Sequence, residues 1–205
     1  MTTGDSKKIL GPMAWELFGR RIRAVGVIGS GQIGPDIALY FAKTLAPHGV
    51  QVILNDVLPA ALEAGLVRIR KKIDKGVETG AFKSEQAAQM IAALTTTTDK
   101  KALAEAGLIV EAATESLEIK RKIFAELEEV VEGRALLASN SSHLEPEVIF
   151  ANAKKPERTL VVHAFFPADR NVLVEVVPGK QTAPEAADFC MKFYEAIGKV
   201  PIRVG

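Results

Sequence analysis

The chain has 205 residues, 48% of them hydrophobic, and a formal net charge of +1. That length suits one large domain with a short appendage, and the balanced charge gives no case for nucleic acid or an anionic membrane surface as partner. A single cysteine, Cys190, cannot form an internal disulfide, no apolar run approaches the ~20 residues of a membrane span, and residues 1–8 lack the apolar core of a secretory signal, so a cytoplasmic protein is expected.

Residues 1–21 read as a leader, in which Met13, Trp15, Leu17 and Phe18 are apolar enough to dock as a short helix or segment. The domain proper is expected over 22–205. Its first strand, 22–28, ends in Val25-Gly26-Val27-Ile28 and runs into Gly29-Ser30-Gly31-Gln32-Ile33-Gly34. A helix over 33–46 and a strand over 50–55 follow, and Asp56 closes that strand. The glycine pattern alone is a weak signal. Strand, glycine turn, helix, strand and acid in that order form the dinucleotide-binding βαβ unit.

Each part has a physical reason. Gly29 permits the tight turn out of the strand, and Gly31, without a Cβ, lets the backbone approach a pyrophosphate. Gly34 lets the helix pack close to the strand. Pro35 sits in the first helical turn, where its missing N–H costs nothing. The helix N-terminus offers free N–H groups and a positive dipole to phosphates. Asp56 is placed to accept hydrogen bonds from the adenosine ribose and would repel a 2′-phosphate, which favours NAD over NADP. The cofactor-binding set on this unit is Gly29, Gly31, Gln32, Ile33, Gly34 and Asp56.

Further along, 58–78 is a long helix rich in bases (Arg68, Arg70, Lys71, Lys72, Lys75), and 84–93 a shorter one. Strands are expected at Thr95–Thr98, 108–111, 135–138, 160–163, 172–177 and 200–204, with helices at 116–131 and 184–197. Cys190 falls in the last helix and reads as a core residue. Alternating helices and continuous apolar strands predict a Rossmann-type α/β fold, a doubly wound, mostly parallel sheet covered on both faces. The close spacing after residue 159 leaves room for one antiparallel pair.

A second constellation lies at strand ends. Leu137-Ala138-Ser139-Asn140-Ser141-Ser142 leaves a strand at the carboxyl edge, where such folds bind ligands. His163 ends a strand, and Glu175 lies twelve positions later on another. A histidine held by a carboxylate is a natural general base, because the carboxylate orients the ring and stabilises the imidazolium. A lone histidine at a strand end is more often a satisfied structural residue; the glutamate and the upstream serines tip the balance toward the base. No metal site is expected.

Taken in order, Gly29-Ser30-Gly31-Gln32-Ile33-Gly34, Val110-Glu111-Ala112-Ala113-Thr114-Glu115, Ala138-Ser139-Asn140-Ser141-Ser142 and His163 with Glu175-Val176-Val177 resemble the NAD-binding domain of the L-3-hydroxyacyl-CoA dehydrogenase family. The resemblance covers roughly 22–204. It implies an NAD-dependent oxidoreductase of the fatty-acid β-oxidation type, with acyl-CoA as substrate. It assigns catalysis to His163, Glu175 and Ser142, and adds Glu115, Lys120, Asn140 and Ser142 to the NAD contacts. Alone, Glu115 and Lys120 would read as a helix-start charge and a solvated ion. The basic helix at 58–78 is either a CoA phosphate contact or a solvated face.

The chain departs from the family at three places. Phe166 stands where an Asn is usual, and His143 where a Ser is usual. Beyond Gly205 the family continues into a helical domain, so the resemblance implies a helical partner domain or a homodimer to complete the pocket. Val174 to Thr182 also resembles the carnitine and gulonate dehydrogenase branch, which keeps a non-CoA hydroxy acid open as substrate. A non-catalytic NAD-binding module and a structural assembly unit are the remaining alternatives.

Overall fold

The structure, a computed structural model, describes residues 15–131 and 133–205. The chain opens with a two-stranded hairpin, β1 (Trp15–Leu17) and β2 (Arg20–Ile22). Phe18 and Gly19 turn it with φ of 48° and 77°, the paired positive values of a two-residue hairpin turn whose twist matches its strands. The described part of the leader, residues 15–21, therefore docks as a hairpin and not as a helix. Leu17 enters the core, and Trp15 stacks on His48 at 4.7 Å. Met13 lies outside the described residues.

The main elements are β3 (Ala24–Ile28), α1 (Gly34–Leu45), β4 (Gln51–Asn55), α2 (Pro59–Glu78), α3 (Ser84–Ala93), β5 (Leu94–Thr97), β6 (Ala106–Glu111) and α4 (Leu117–Val130). They continue with β7 (Leu136–Ser139), the single turn α5 (Pro146–Ile149), β8 (Thr159–Ala164), β9 (Leu173–Pro178), α6 (Pro184–Ala196) and β10 (Val200–Arg203). The eight-stranded sheet runs β10-β9-β8-β7-β6-β3-β4-β5. All neighbours are parallel except β8 and β9, the antiparallel pair for which the sequence left room.

Side-chain alternation sorts this sheet into two cores. Val25, Val27, Leu108, Val110, Leu136 and Ala138 face a core shared with α1, α2, α3 and α6. Ile109, Leu137 and Val161 face the other, closed by Phe124 and Leu127 of α4 and Phe150 beyond α5. Because both faces are covered, the strands read as unbroken apolar runs rather than as alternating ones. Cys190 is buried among the first core, and burial pushes its thiol up to about 12.

The strand order places β3 and β6 side by side with their connections leaving in opposite directions. That crevice, at the carboxyl ends of parallel strands, is where ligands bind in open α/β sheets. The ends of β3, β4, β6, β7 and β8 all open onto this edge.

Candidate active site

The glycine turn is dictated by sterics. Gly29 has φ of 98°, and a Cβ there would meet the Ala112 carbonyl oxygen at 2.6 Å. At Gly34 a Cβ would stand 1.8 Å from the Gly29 carbonyl oxygen, so only glycine lets α1 start this close to β3. Gly31 is different: nothing lies within 4 Å of where its Cβ would be. It is exposed at the mouth of the turn, with open space for a ligand.

Helix α1 begins without a side-chain cap at Ile33, and Pro35 occupies its first turn. Pro35 has no N–H and the Asp36 N–H donates to the Ile33 carbonyl at 3.0 Å, which leaves the Gly34 N–H at the helix start without an acceptor among the described residues. An uncapped helix start beside open space fits the pyrophosphate of a dinucleotide. Asp56 is half-buried and holds the turn in place: its Oδ2 accepts from the Ser30 N–H at 2.7 Å and its Oδ1 from the Leu58 N–H at 2.9 Å. Its free lone pairs border a cavity of about 480 Å3 lined by Ile28, Gly29, Asn55, Asp56 and Ile119. A carboxylate at the rim of an apolar-floored cavity after the second strand suits an adenosine.

On the far side of the crevice, β8 and β9 pair with His163 directly opposite Glu175. Nδ1 of His163 lies 3.0 Å from Oε2 of Glu175, and the ring sits 4.5 Å from that of Phe165. With Nδ1 engaged by the carboxylate, Nε2 is the nitrogen left to face a substrate. Phe166 is 58% exposed. Asn140 is buried, and its Oδ1 accepts from the Ala164 N–H at 2.9 Å, tying the end of β7 to the residue after His163.

Ser142 lies in the loop three residues beyond β7 and His163 near the end of the neighbouring β8, but no hydrogen bond joins them among the described residues. Ser142 instead belongs to a network around Glu115. The Ser142 N–H donates to Oε1 of Glu115 at 3.4 Å, and the Ser141 hydroxyl to Oε2 at 2.9 Å. Partial burial works to raise the Glu115 pKa, but the Ser141 hydroxyl, the Lys120 ammonium and the Ser142 N–H outweigh it and hold the carboxyl below its ordinary value. The Ser142 hydroxyl lies 3.3 Å from Nδ1 of His143.

Lys120 lies below the surface of the site. It is 2% exposed, and its ammonium donates to both carboxylate oxygens of Glu111 at 3.1 and 2.9 Å, with Glu115 at 3.7 Å. It sits beneath the site and supports Glu115 from behind. Glu111, fully buried, also accepts from the Ser139 hydroxyl at 2.8 Å and the Ala113 N–H at 2.9 Å. Glu111, Ser139 and Ser141 stand in runs read from the sequence but received no role there. The signal was available: a glutamate ending a buried apolar strand needs a partner, and Lys120 stands nine residues on.

The basic helix α2 is partly committed to the fold. Lys72 bridges Asp36 at 2.7 Å and Asp169 at 2.9 Å, joining α1, α2 and the β8–β9 loop. Lys75 pairs with Glu78 at 3.0 Å. Arg68 reaches the glycine turn and donates to the Gly31 carbonyl. Arg70 and Lys71 are exposed.

A doubly wound parallel sheet with an uncapped helix at its switch point and an acid after the second strand defines a dinucleotide-binding domain of Rossmann type. The chain belongs to the 3-hydroxyacyl-CoA dehydrogenase family, NAD binding domain, whose sequence profile matches residues 24–205. It is 38% identical over 182 residues to the 3-hydroxyadipyl-CoA dehydrogenase of Escherichia coli, covering 89% of this chain and 38% of that protein. It is 30% identical to the fatty acid oxidation complex subunit alpha of Idiomarina loihiensis, covering 90% of this chain and 25% of that protein. Among solved structures, the (S)-3-hydroxybutyryl-CoA dehydrogenase PaaH1 of Ralstonia eutropha superposes with a TM-score of 0.84 at 27% identity, over 89% of this chain and 63% of that one. The chain thus spans about two fifths or less of the two curated relatives.

Proposed function

We propose that this domain binds NAD across the crevice and carries the acid–base half of a 3-hydroxyacyl-CoA dehydrogenase. The observation that carries the reading is the cross-strand His163–Glu175 pair, at 3.0 Å, on the same sheet edge as the glycine turn. Gly29, Gly31, Gln32, Ile33 and Gly34 hold the pyrophosphate, Asp56 the adenosine ribose, and Glu115, Asn140 and Ser142 the nicotinamide side. When bound, NAD supplies the acceptor for hydride from C3 of the hydroxyacyl group.

The chain's own residues then manage the proton. Nε2 of His163 takes it from the C3 hydroxyl, and Glu175 offsets the charge that appears on the imidazole. In the opposite direction the imidazolium returns it to the alkoxide oxygen. The Ser142 hydroxyl donates to the reacting oxygen, a hydrogen bond worth more once that oxygen is charged. Arg70 and Lys71 remain available to CoA phosphates. A cytoplasmic setting belongs to this proposal, in keeping with the unpaired, buried Cys190.

Calorimetric titration with NADH tests the cofactor half: saturable binding is expected, and none at millimolar NADH would overturn it. Asp56→Ala is expected to weaken NADH binding roughly 10- to 150-fold, the loss of about 1.5–3 kcal/mol from hydrogen bonds to a charged group. The same change should bring NADPH affinity close to that for NADH. An unaltered preference would remove Asp56 from this role. Assay of 3-hydroxyacyl-CoA against free hydroxy acids decides the substrate class, and activity on the free acids alone would exclude CoA.

A further inference from the structure

The edge of the sheet opposite the cofactor crevice carries a second cavity, of about 260 Å3. It lies where β2, β6 and β7 begin or pass, at the amino ends of the parallel strands. Among the described residues four arginines line it, Arg20, Arg21, Arg23 and Arg134, together with the carboxylate of Glu105. Glu105 is taken up by Arg23 at 3.5 Å. Arg20 donates to the Arg134 carbonyl at 2.9 Å and lies 4.9 Å over the Phe189 ring.

The other two guanidinium groups have no such use. Among the described residues, the side chains of Arg21 and Arg134 make no hydrogen bond or ion pair, although Glu16 stands opposite Arg21 across the hairpin. Both are exposed at the mouth of the cavity. Like charges gathered around one hollow repel each other, and burial together with the Arg134 charge lowers the Arg20 pKa. A guanidinium fork matches phosphate and carboxylate oxygens in pairs. A hollow this size falls just below the range of about 300–1,000 Å3 typical of pockets for drug-sized ligands, so it is scaled to a small anion and not to a dinucleotide.

We propose that the hollow between Arg20, Arg21, Arg23 and Arg134 is a binding site for a small, multiply charged anion bearing phosphate groups, separate from the cofactor crevice. Arg21 and Arg134 clamp the anion from the two sides of the mouth, and Arg20 supplies charge from the wall.

Inorganic pyrophosphate is the probe, titrated into the 205-residue chain at low ionic strength with and without saturating NADH. With NADH saturating the glycine turn, one equivalent should still bind, with an affinity that falls as salt is added. Arg21→Gln/Arg134→Gln should weaken it at least tenfold, and Arg134→Gln alone at least threefold, while NADH affinity stays within twofold as the check on folding. Equal affinity in the parent and double variant would overturn the proposal. So would loss of binding on adding NADH, because the anion would then have been in the glycine turn. If the chain binds no NADH, the arginine variants still decide the question by themselves, with the thermal midpoint as the folding check.

Discussion

A Lys120→Met variant is expected to unfold roughly 6–20 °C below the parent chain. Lys120 and Glu111 form an ion pair that is almost wholly removed from water, at 2% and 0% side-chain exposure. Removing one partner leaves the other charge buried without compensation, which costs about 3–5 kcal/mol. For a domain of this size each kcal/mol moves the midpoint by about 2–4 °C. Glu111 keeps only the Ser139 hydroxyl and the Ala113 N–H, too little for a buried carboxylate. A second change, Glu111→Leu beside Lys120→Met, should recover part of the loss by removing the stranded charge, but not all, because Ser139 and the Ala113 N–H then lose their acceptor. Thermal unfolding of the three chains decides the matter. A midpoint within about 2 °C of the parent, combined with tenfold weaker NADH binding, would return Lys120 to the role of cofactor contact that the family resemblance gave it.

The largest functional effect is expected at His163. On the proposed function, His163→Gln should lower turnover of NADH with acetoacetyl-CoA by about 10²–10⁴-fold, the range for removing a positioned general acid. NADH affinity should stay within about twofold, since the ring sits against Glu175 and Phe165 and not in the glycine turn. Glu175→Gln should reduce turnover less. It leaves the imidazole in place and removes the charge that stabilises the imidazolium. Rate retained in His163→Gln would assign the proton to another group. His143, with Nδ1 3.3 Å from the Ser142 hydroxyl, is then the residue to change next.

These two experiments mark different kinds of knowledge. The glycine turn was legible because its requirements are local: positive φ at Gly29 and a clash at Gly34 follow from the identity of a few consecutive residues. Strand and helix positions were legible from apolar periodicity, and the antiparallel pair from short spacing. The hairpin at Trp15–Ile22 was less so, because Phe18-Gly19 is a weak turn signal compared with Asn-Gly. For Lys120 only half was legible: that a buried strand-end glutamate calls for a partner, but not which cation supplies it. Nothing in its neighbours in sequence says that α4 presses it under the sheet onto Glu111, since burial is a property of the packed domain.

The sequence by itself determined the dinucleotide turn, the order of elements, the doubly wound class and the residue types that can move a proton, because each depends on contacts within a few residues or on side-chain period. Tertiary structure alone decided which of those residues meet. The antiparallel register puts His163 opposite Glu175 at 3.0 Å. Packing of α4 makes Lys120 a buried support of Glu115, and the hairpin gathers three arginines of one segment with Arg134, more than a hundred residues away. Distances between residues remote in the chain are set by how layers pack, and that information exists only once both cores have closed.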